Sequence, residues 1–319
     1  MTIALHFGLL VVGFVILIQA AKFFVDASVN IATKLKIPRI VVGLTIMAMG
    51  TSAPEAVISA SAAVRGIGNL AVANAVGSNI FNLLFIVGLC TLIFPINVNI
   101  KVILRDYWVS VSATIFLLVG VIFWGDVIPR YGAFILLTGF VVYLFIVVRT
   151  ALKNRCYETD GIEENEFKSK QKPLWKSIVL AVFSIGLIVG GGQLTVYTAT
   201  ELASALNISE RLIGLTVVAM GTSLPELVTT IIACKRGEGE FALGFIIGSS
   251  VFNIMFVLGL AGLITPLGIE SNVLFDLAIL TIGTLAFYPM AKSGSRIVRK
   301  EGLIMTLMYA LYMTWILIN

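Results

Sequence analysis

Apolar residues run through this chain in blocks of about twenty, the length that lets a helix cross the hydrocarbon layer of a membrane. Ten blocks predict spans at residues 3–23, 38–64, 69–94, 107–124, 131–148, 175–194, 209–234, 241–263, 273–290 and 303–318. The long polar interruption at 150–173 mixes Glu158, Asp160, Glu163, Glu164 and Glu166 with lysines and reads as a solvated linker. Its acidic run lacks the glycine and alternating oxygen ligands of a Ca2+-binding loop. Five spans then stand on each side, in a first half at 1–149 and a second half at 174–319.

The polar exceptions inside the apolar blocks repeat. GLTIMAMGTSAPE at 43–55 returns as GLTVVAMGTSLPE at 214–226, identical at ten of 13 positions with an offset of 171. At the same offset Gly77-Ser78 matches Gly248-Ser249, and Phe81-Asn82 matches Phe252-Asn253. Ala32, Leu35 and Ile37 match Ala203, Leu206 and Ile208. An odd number of spans per copy makes the second copy enter the membrane from the opposite side. That is the inverted-topology repeat of many secondary transporters, whose site lies near the midplane where the repeats meet. The expected fold is therefore all-α and integral to the membrane, with two inverted five-helix repeats.

Composition agrees. The chain is 59% hydrophobic and 12% charged, with mean hydropathy +1.03, against about 25% charged residues in ordinary soluble domains. Its net charge of +5 points to orientation and not to nucleic acid. Placed on the spans, 19 Lys and Arg residues fall on one side, among them Lys22, Lys34, Lys101, Arg105, Lys235 and Lys292. Three fall on the other: Arg65, Arg130 and Arg211. The positive-inside rule then sets both termini outside the cytoplasm. The first block has no basic n-region and has a counterpart in the second half, so it is expected to be retained and not cleaved as a signal peptide. Cys90, Cys156 and Cys234 show no disulfide or metal spacing and read as inert side chains. His6, the lone histidine, reads as interfacial. Gly190, Gly191 and Gly192 predict close helix packing, with a sliding surface as the alternative.

Chemistry concentrates where the repeats are most alike. A carboxylate in hydrocarbon is costly, about 2.5–3.5 kcal/mol for a comparable acid, yet Glu55 and Glu226 sit at matching positions, each after a proline. Proline removes an N–H and disfavours helix in the residue before it, so both helices are expected to break. Irregular backbone at membrane depth survives only where it lines a cavity or is buried in protein. Freed carbonyls around residues 48–50 beside a carboxylate make an oxygen-rich, negative site. Thr51 and Glu55 are four apart, as are Thr222 and Glu226, Ser78 and Asn82, and Ser249 and Asn253, so each pair shares a helix face. Ca2+ takes 6–8 oxygen ligands in irregular geometry. The set holds neither histidine nor cysteine, which argues against Zn2+ or Cu2+. Closing such a site empty would shut two unpaired carboxylates into low dielectric at several kcal/mol. The carrier should cross loaded and resist crossing empty, which gives exchange, and acid should compete with the cation.

The paired GTSxPE stretches, with GSNIFN in one half and GSSVFN in the other, resemble the α-repeats of the calcium/cation antiporter superfamily, in its prokaryotic sodium/calcium exchanger branch. The resemblance covers essentially the whole chain. It implies a core of four helices, with long tilted first and sixth helices that slide across it during alternating access. It implies exchange of Ca2+ for several Na+; with Na+ or H+ higher outside, Ca2+ is expected to be extruded across a prokaryotic inner membrane. No cofactor, nucleic acid or protein partner is implied beyond cations and lipid. Carried over residue by residue, Glu55 and Glu226 resemble the central carboxylates. Thr51, Ser52, Thr222 and Ser223 resemble the hydroxyls beside them, and Ala48 and Ala219 the carbonyl ligands. Ser78, Asn82, Ser249 and Asn253 resemble the ligands of the opposite helices.

Two departures bear on the counter-ion and the site. Relatives often carry Asp at the position of Asn253, so this site has two formal negative charges where theirs has three. Two charges balance one Ca2+ and leave a load of three Na+ one unit in excess, so a Ca2+/H+ antiporter stands as the alternative. That branch usually shows GNAxE, where this chain has Asn74-Ala75-Val76-Gly77. Phe245 replaces the Asn of the second GNxxGS pattern, while the first half keeps Asn74. The motifs of an intramembrane diacid enzyme are absent from the spans.

Overall fold

The computed structural model describes residues 3–35, 37, 39–98, 100–153, 173–205, 221–269, 272–292 and 296–318. They are helical almost throughout, and eight helical stretches among them are long and apolar enough to cross a membrane. Two of these lie at the centre. Buried residues make up 72% of the apolar stretch in 68–93 and 89% of that in 239–264, against 22–44% for the six others.

Each central rod is an α-helix with a π-helical turn in its middle. The first runs through α5 (Gly68–Ile80), a π-turn (Phe81–Ile86) and α6 (Val87–Ile93). The second runs through α11 (Gly239–Val251), a π-turn (Phe252–Val257) and α12 (Leu258–Ile264). The π-turns begin at equivalent positions, and such turns occur often at functional sites. Aromatic stacks anchor both. Phe81 stacks on Phe85 at 5.0 Å beside Tyr309, and Phe252 on Phe256 at 4.7 Å beside Phe140. Phe140 lies on α8 (Arg130–Lys153) and Tyr309 on α14 (Arg299–Ile318).

The helices that carry the two glutamates break as their prolines predict. In the first half α2 (Arg39–Val42), a π-turn (Gly43–Met47) and α3 (Ala48–Thr51) lead to Ser52, which leaves the helix at φ −85°, ψ 9°. The chain restarts as α4 (Ala53–Val64), with Pro54 in its first turn. Ser223 repeats that conformation at φ −95°, ψ 9° before α10 (Leu224–Lys235), with Pro225 in the first turn. Residues 206–220, including Ala219, lie outside the described residues. Gly66 and Gly237, 171 apart and both at φ 77°, end α4 and α10 in a left-handed conformation open to glycine.

α1 (Ile3–Leu35) and α9 (Leu174–Ala205) correct the predicted spans 3–23 and 175–194. They have 33 and 32 residues, about 50 Å at 1.5 Å per residue, well beyond the hydrocarbon thickness of about 30 Å. Apolarity marks where lipid ends, while a helix continues as long as its backbone bonds and polar side chains are satisfied. Asn30 Nδ2 donates to Ser177 Oγ at 2.6 Å, and Arg236 bonds Asp26 and the Lys22 carbonyl. Lys22 and Lys34 are thus helical, as are Lys101 and Arg105 in α7 (Ile100–Trp124). The long helices lie antiparallel and cross at glycine. A Cβ on Gly191 would stand 3.1 Å from Leu17 N and 3.3 Å from Gly13 O, the close packing expected of this segment.

Two short strand pairs join the connections. β1 (Ile96–Asn97) pairs with β4 (Arg296–Ile297), and β2 (Val127–Ile128) with β3 (Leu267–Gly268), both antiparallel. Ile96 and Leu267 are equivalent at the offset of 171. Each pair joins loops that the charge pattern places on one side of the membrane. α13 (Val273–Lys292) packs with α7 on the outside of the central rods.

Candidate cation site

At the two breaks, with the central rods between them, lies a cluster of buried polar side chains. Thr51, Ser52, Glu55, Ser78, Asn82, Ser223, Glu226, Ser249 and Asn253 are each no more than 4% exposed. Thr222 is half-buried. Two of the positions that the repeat singled out bond directly across the halves, Ser52 in the first and Glu226 in the second. Each carboxylate meets the other half's hydroxyls. Thr51 and Ser52 lie against Glu226, and Ser223 lies against Glu55.

The hydrogen bonds have a direction. Asn82 Nδ2 donates to Ser249 Oγ at 3.2 Å, Ser249 Oγ meets Ser52 Oγ at 2.8 Å, and Ser52 Oγ donates to Glu226 Oε1 at 3.0 Å. Ser52 has one proton and gives it to the carboxylate, so Ser249 is the donor between the two hydroxyls. All the donors of this chain end on a single oxygen. Among the described residues, both oxygens of Glu55, Glu226 Oε2, Asn82 Oδ1 and Asn253 Oδ1 are buried with no hydrogen-bond partner, as are the Ser223 and Thr229 hydroxyls. Buried polar atoms in native proteins nearly always have partners. Five such acceptor oxygens, three of them from carboxylates, are the kind of group a desolvated cation satisfies.

The expectation of freed carbonyls is corrected at Ala48. Its carbonyl accepts the Ser52 N–H at 3.1 Å, and the Met47 carbonyl accepts Thr51 Oγ1 at 3.1 Å. A carbonyl oxygen has a second lone pair, so Ala48 is occupied once and not blocked. At Gly50 the missing N–H of Pro54 removes the ordinary helical donor.

Several supporting residues carried no repeated signal. Asn74 Nδ2 donates to the Glu55 carbonyl at 3.4 Å and to Ser59 Oγ at 3.1 Å, tying the first carboxylate's backbone to α5. The second half has Phe245 there, fully buried. There Thr230 Oγ1 donates to the Glu226 carbonyl at 2.7 Å, a bond within α10 that makes no tie to α11. Asn79, buried between Asn253 and Ser250, was not marked by the repeat, because its counterpart is Ser250. His6 lies 3.9 Å from Glu201 between the two long helices, away from these residues.

Comparison with known proteins places this arrangement. Residues 5–149 and 176–318 match the family described as sodium/calcium exchanger protein. The chain is 38% identical to the putative antiporter CaxA of Alkalimonas amylolytica, over 94% of this chain and 95% of that one. It is 30% identical to the sodium/calcium exchanger MaX1 of Methanosarcina acetivorans, over 98% of both. The inner membrane protein YrbG of Escherichia coli is 34% identical over 81% of this chain and 80% of its own length. Among solved structures, the sodium-calcium exchanger NCX_Mj soaked with 10 mM Na+ and zero Ca2+ superposes with a TM-score of 0.84. It has 33% identity and covers 98% of this chain and 99% of that one. The same exchanger soaked with 10 mM Sr2+ and 2.5 mM Na+ also gives 0.84, at 32% identity and the same coverage. This multi-pass membrane chain belongs to the sodium/calcium exchanger family.

Proposed function

We propose that the protein is a secondary antiporter that exchanges Ca2+ for Na+ by alternating access and extrudes Ca2+ across a prokaryotic inner membrane. The observation that carries this reading is the set of five buried acceptor oxygens of Glu55, Glu226, Asn82 and Asn253 that have no hydrogen-bond partner among the described residues. Hard cations bind oxygen, and Ca2+ tolerates the irregular shape that broken helices supply. Glu55 and Glu226 supply the charge. Thr51, Ser52, Thr222, Ser223, Ser78, Ser249, Asn82 and Asn253, with the carbonyls of Ala48 and Ala219, supply the neutral oxygens.

The reading includes ten spans arranged as inverted repeats at 1–149 and 174–319, joined by a cytoplasmic linker at 150–173, with both termini outside. The strand pairs support it: the loops at 96 and 296 meet, as do those at 127 and 267, and these are the meetings an inversion produces. Two carboxylates balance one Ca2+, so the loaded site crosses the membrane neutral while the empty one does not.

The test is radioactive Ca2+ uptake into proteoliposomes loaded with Na+ and diluted into choline, beside K+-loaded vesicles and vesicles holding a pH gradient. Uptake that needs internal Na+ is expected. Uptake driven by the pH gradient without Na+ would overturn the sodium coupling. It would favour Ca2+/H+ exchange, the reading that Asn253 keeps open by removing a charge. Acid on the Ca2+ side is expected to lower uptake. A proton on either glutamate cancels a negative charge that Ca2+ needs, so the rate falls as the pH falls. A rate that rises with acidification contradicts competition at the carboxylates.

A further inference from the structure

Asn79 follows Ser78 on α5 and is fully buried. Its Nδ2 donates to the Ser250 carbonyl at 3.1 Å, and its Oδ1 accepts from Asn253 Nδ2 at 3.2 Å. The orientation of both amides follows from the first bond. A backbone carbonyl only accepts, so Asn79 must give it the NH2 group and turn its own oxygen toward Asn253. That oxygen can meet only a donor. Asn253 therefore turns its NH2 outward, and its Oδ1 is left as one of the five acceptor oxygens without a hydrogen-bond partner among the described residues.

The other carboxamide is held by a different device. Asn82 gives its NH2 to the Ser249 hydroxyl. The residue equivalent to Asn79 in the second half is Ser250, whose hydroxyl donates to the Ile246 carbonyl at 3.0 Å. Among the described residues an orienting amide is thus present on one side of the repeat. Behind Asn79 lies a cavity of about 20 Å³, to which Ser110, Thr114 and Thr284 contribute. It has room for one water. The Asn79 amide stands between this space and Asn253, and its position relays hydrogen bonding from the scaffold to Asn253.

We propose that Asn79 is a positioning residue for cation binding, holding the Asn253 carboxamide so that its oxygen and not its NH2 faces the ion. A free amide could reverse and present two N–H donors, which repel a cation. This rests on the reading of Asn253 as a ligand, and the experiment separates the two. Ca2+ uptake into proteoliposomes is measured against Ca2+ concentration for wild type, Asn79→Ala, Asn253→Ala and the double variant, with Glu55→Gln marking a dead site.

Asn79→Ala is expected to raise the Ca2+ concentration for half-maximal uptake about ten-fold, the scale of a lost outer-shell partner. Its maximal rate should stay within about two-fold. In the Asn253→Ala background the same substitution should add less than about two-fold, because residues acting through one another are not additive. Asn79→Ser, which keeps a small acceptor beside the cavity, should show the same dependence on Asn253 at smaller size. It carries the comparison if Asn79→Ala yields no folded protein. An Asn79→Ala effect of equal size with and without Asn253 marks a merely structural role and overturns the proposal. Unchanged uptake in Asn79→Ala beside weakened uptake in Asn253→Ala also overturns it, while the site reading stands. Unchanged uptake in Asn253→Ala removes that residue from the site, and the proposal with it.

Discussion

Replacing either central carboxylate by its amide, as Glu55→Gln or Glu226→Gln, is expected to lower Ca2+ transport at least about 100-fold. The substitution keeps shape and one acceptor oxygen, and it removes a single negative charge. Ca2+ in the altered site would carry one uncompensated positive charge in a place sealed from water. Removing one partner of a buried charge pair costs about 3–5 kcal/mol, and 1.4 kcal/mol is a factor of ten, so the loss lies on the order of 100- to 4,000-fold. The empty protein should respond in the opposite sense. Glu55 and Glu226 are both buried at the repeat interface, and two carboxylates charged together in low dielectric are costly, so neutralising one relieves the apo state. Thermal unfolding in detergent without Ca2+ should therefore start no lower than in wild type. The rise in unfolding temperature on adding Ca2+ should disappear. Normal exchange by either variant would defeat the assignment of the site. Loss of transport with a lowered apo unfolding temperature would point to damage in place of lost binding.

The architecture was legible because lipid enforces it. A chain in hydrocarbon must satisfy its backbone within helices, so the apolar blocks mark helices, and their lengths overshoot only where a helix leaves the lipid. This is why 3–23 lengthened to Ile3–Leu35: Asp26, Asn30 and Lys34 look like a loop by polarity, and helical spacing is not lost among them. The site was legible because its costly residues occur twice. Glu55 and Glu226, or Ser78 and Ser249, were visible as repeats before any contact was known. What stayed hidden depends on contacts across the interface. Asn79 looks like a spacer within GSNIFN, since its role is set by the Ser250 carbonyl and by Asn253. Thr230 looks like an ordinary apolar-face threonine until Phe245 is seen to leave Glu226 without the amide that Asn74 gives Glu55. The π-turns at 81–86 and 252–257 carry no local signature, because an extra residue in a helical turn is held by packing and not by propensity.

Packing at one glycine gives the second large effect. Gly248→Ala is expected to cut Ca2+ transport at least about ten-fold, with the loss falling on binding and on stability together. A Cβ at position 248 would stand 2.5 Å from the Leu44 carbonyl oxygen and 2.7 Å from its Cα. These are backbone atoms of the π-turn Gly43–Met47, so no flexible side chain can move aside. The reciprocal contact is as tight, with a Cβ on Gly43 falling 2.6 Å from the Phe241 carbonyl oxygen. The two halves thus meet backbone to backbone, and the central rod must shift to admit a methyl group. Overpacking of this kind costs about 1–3 kcal/mol, enough at 1.4 kcal/mol per decade for a change near ten-fold or above. The shift is felt at once by Ser249, the next residue. Its hydroxyl is the link from Asn82 to Ser52 and Glu226 at 3.2 and 2.8 Å, and moving it by a few tenths of an ångström loosens that chain of hydrogen bonds. Ca2+ uptake and apo unfolding temperature should therefore fall together, unlike the glutamate variants, in which only uptake falls. Wild-type uptake by Gly248→Ala would mean that the halves do not meet this closely in the working protein.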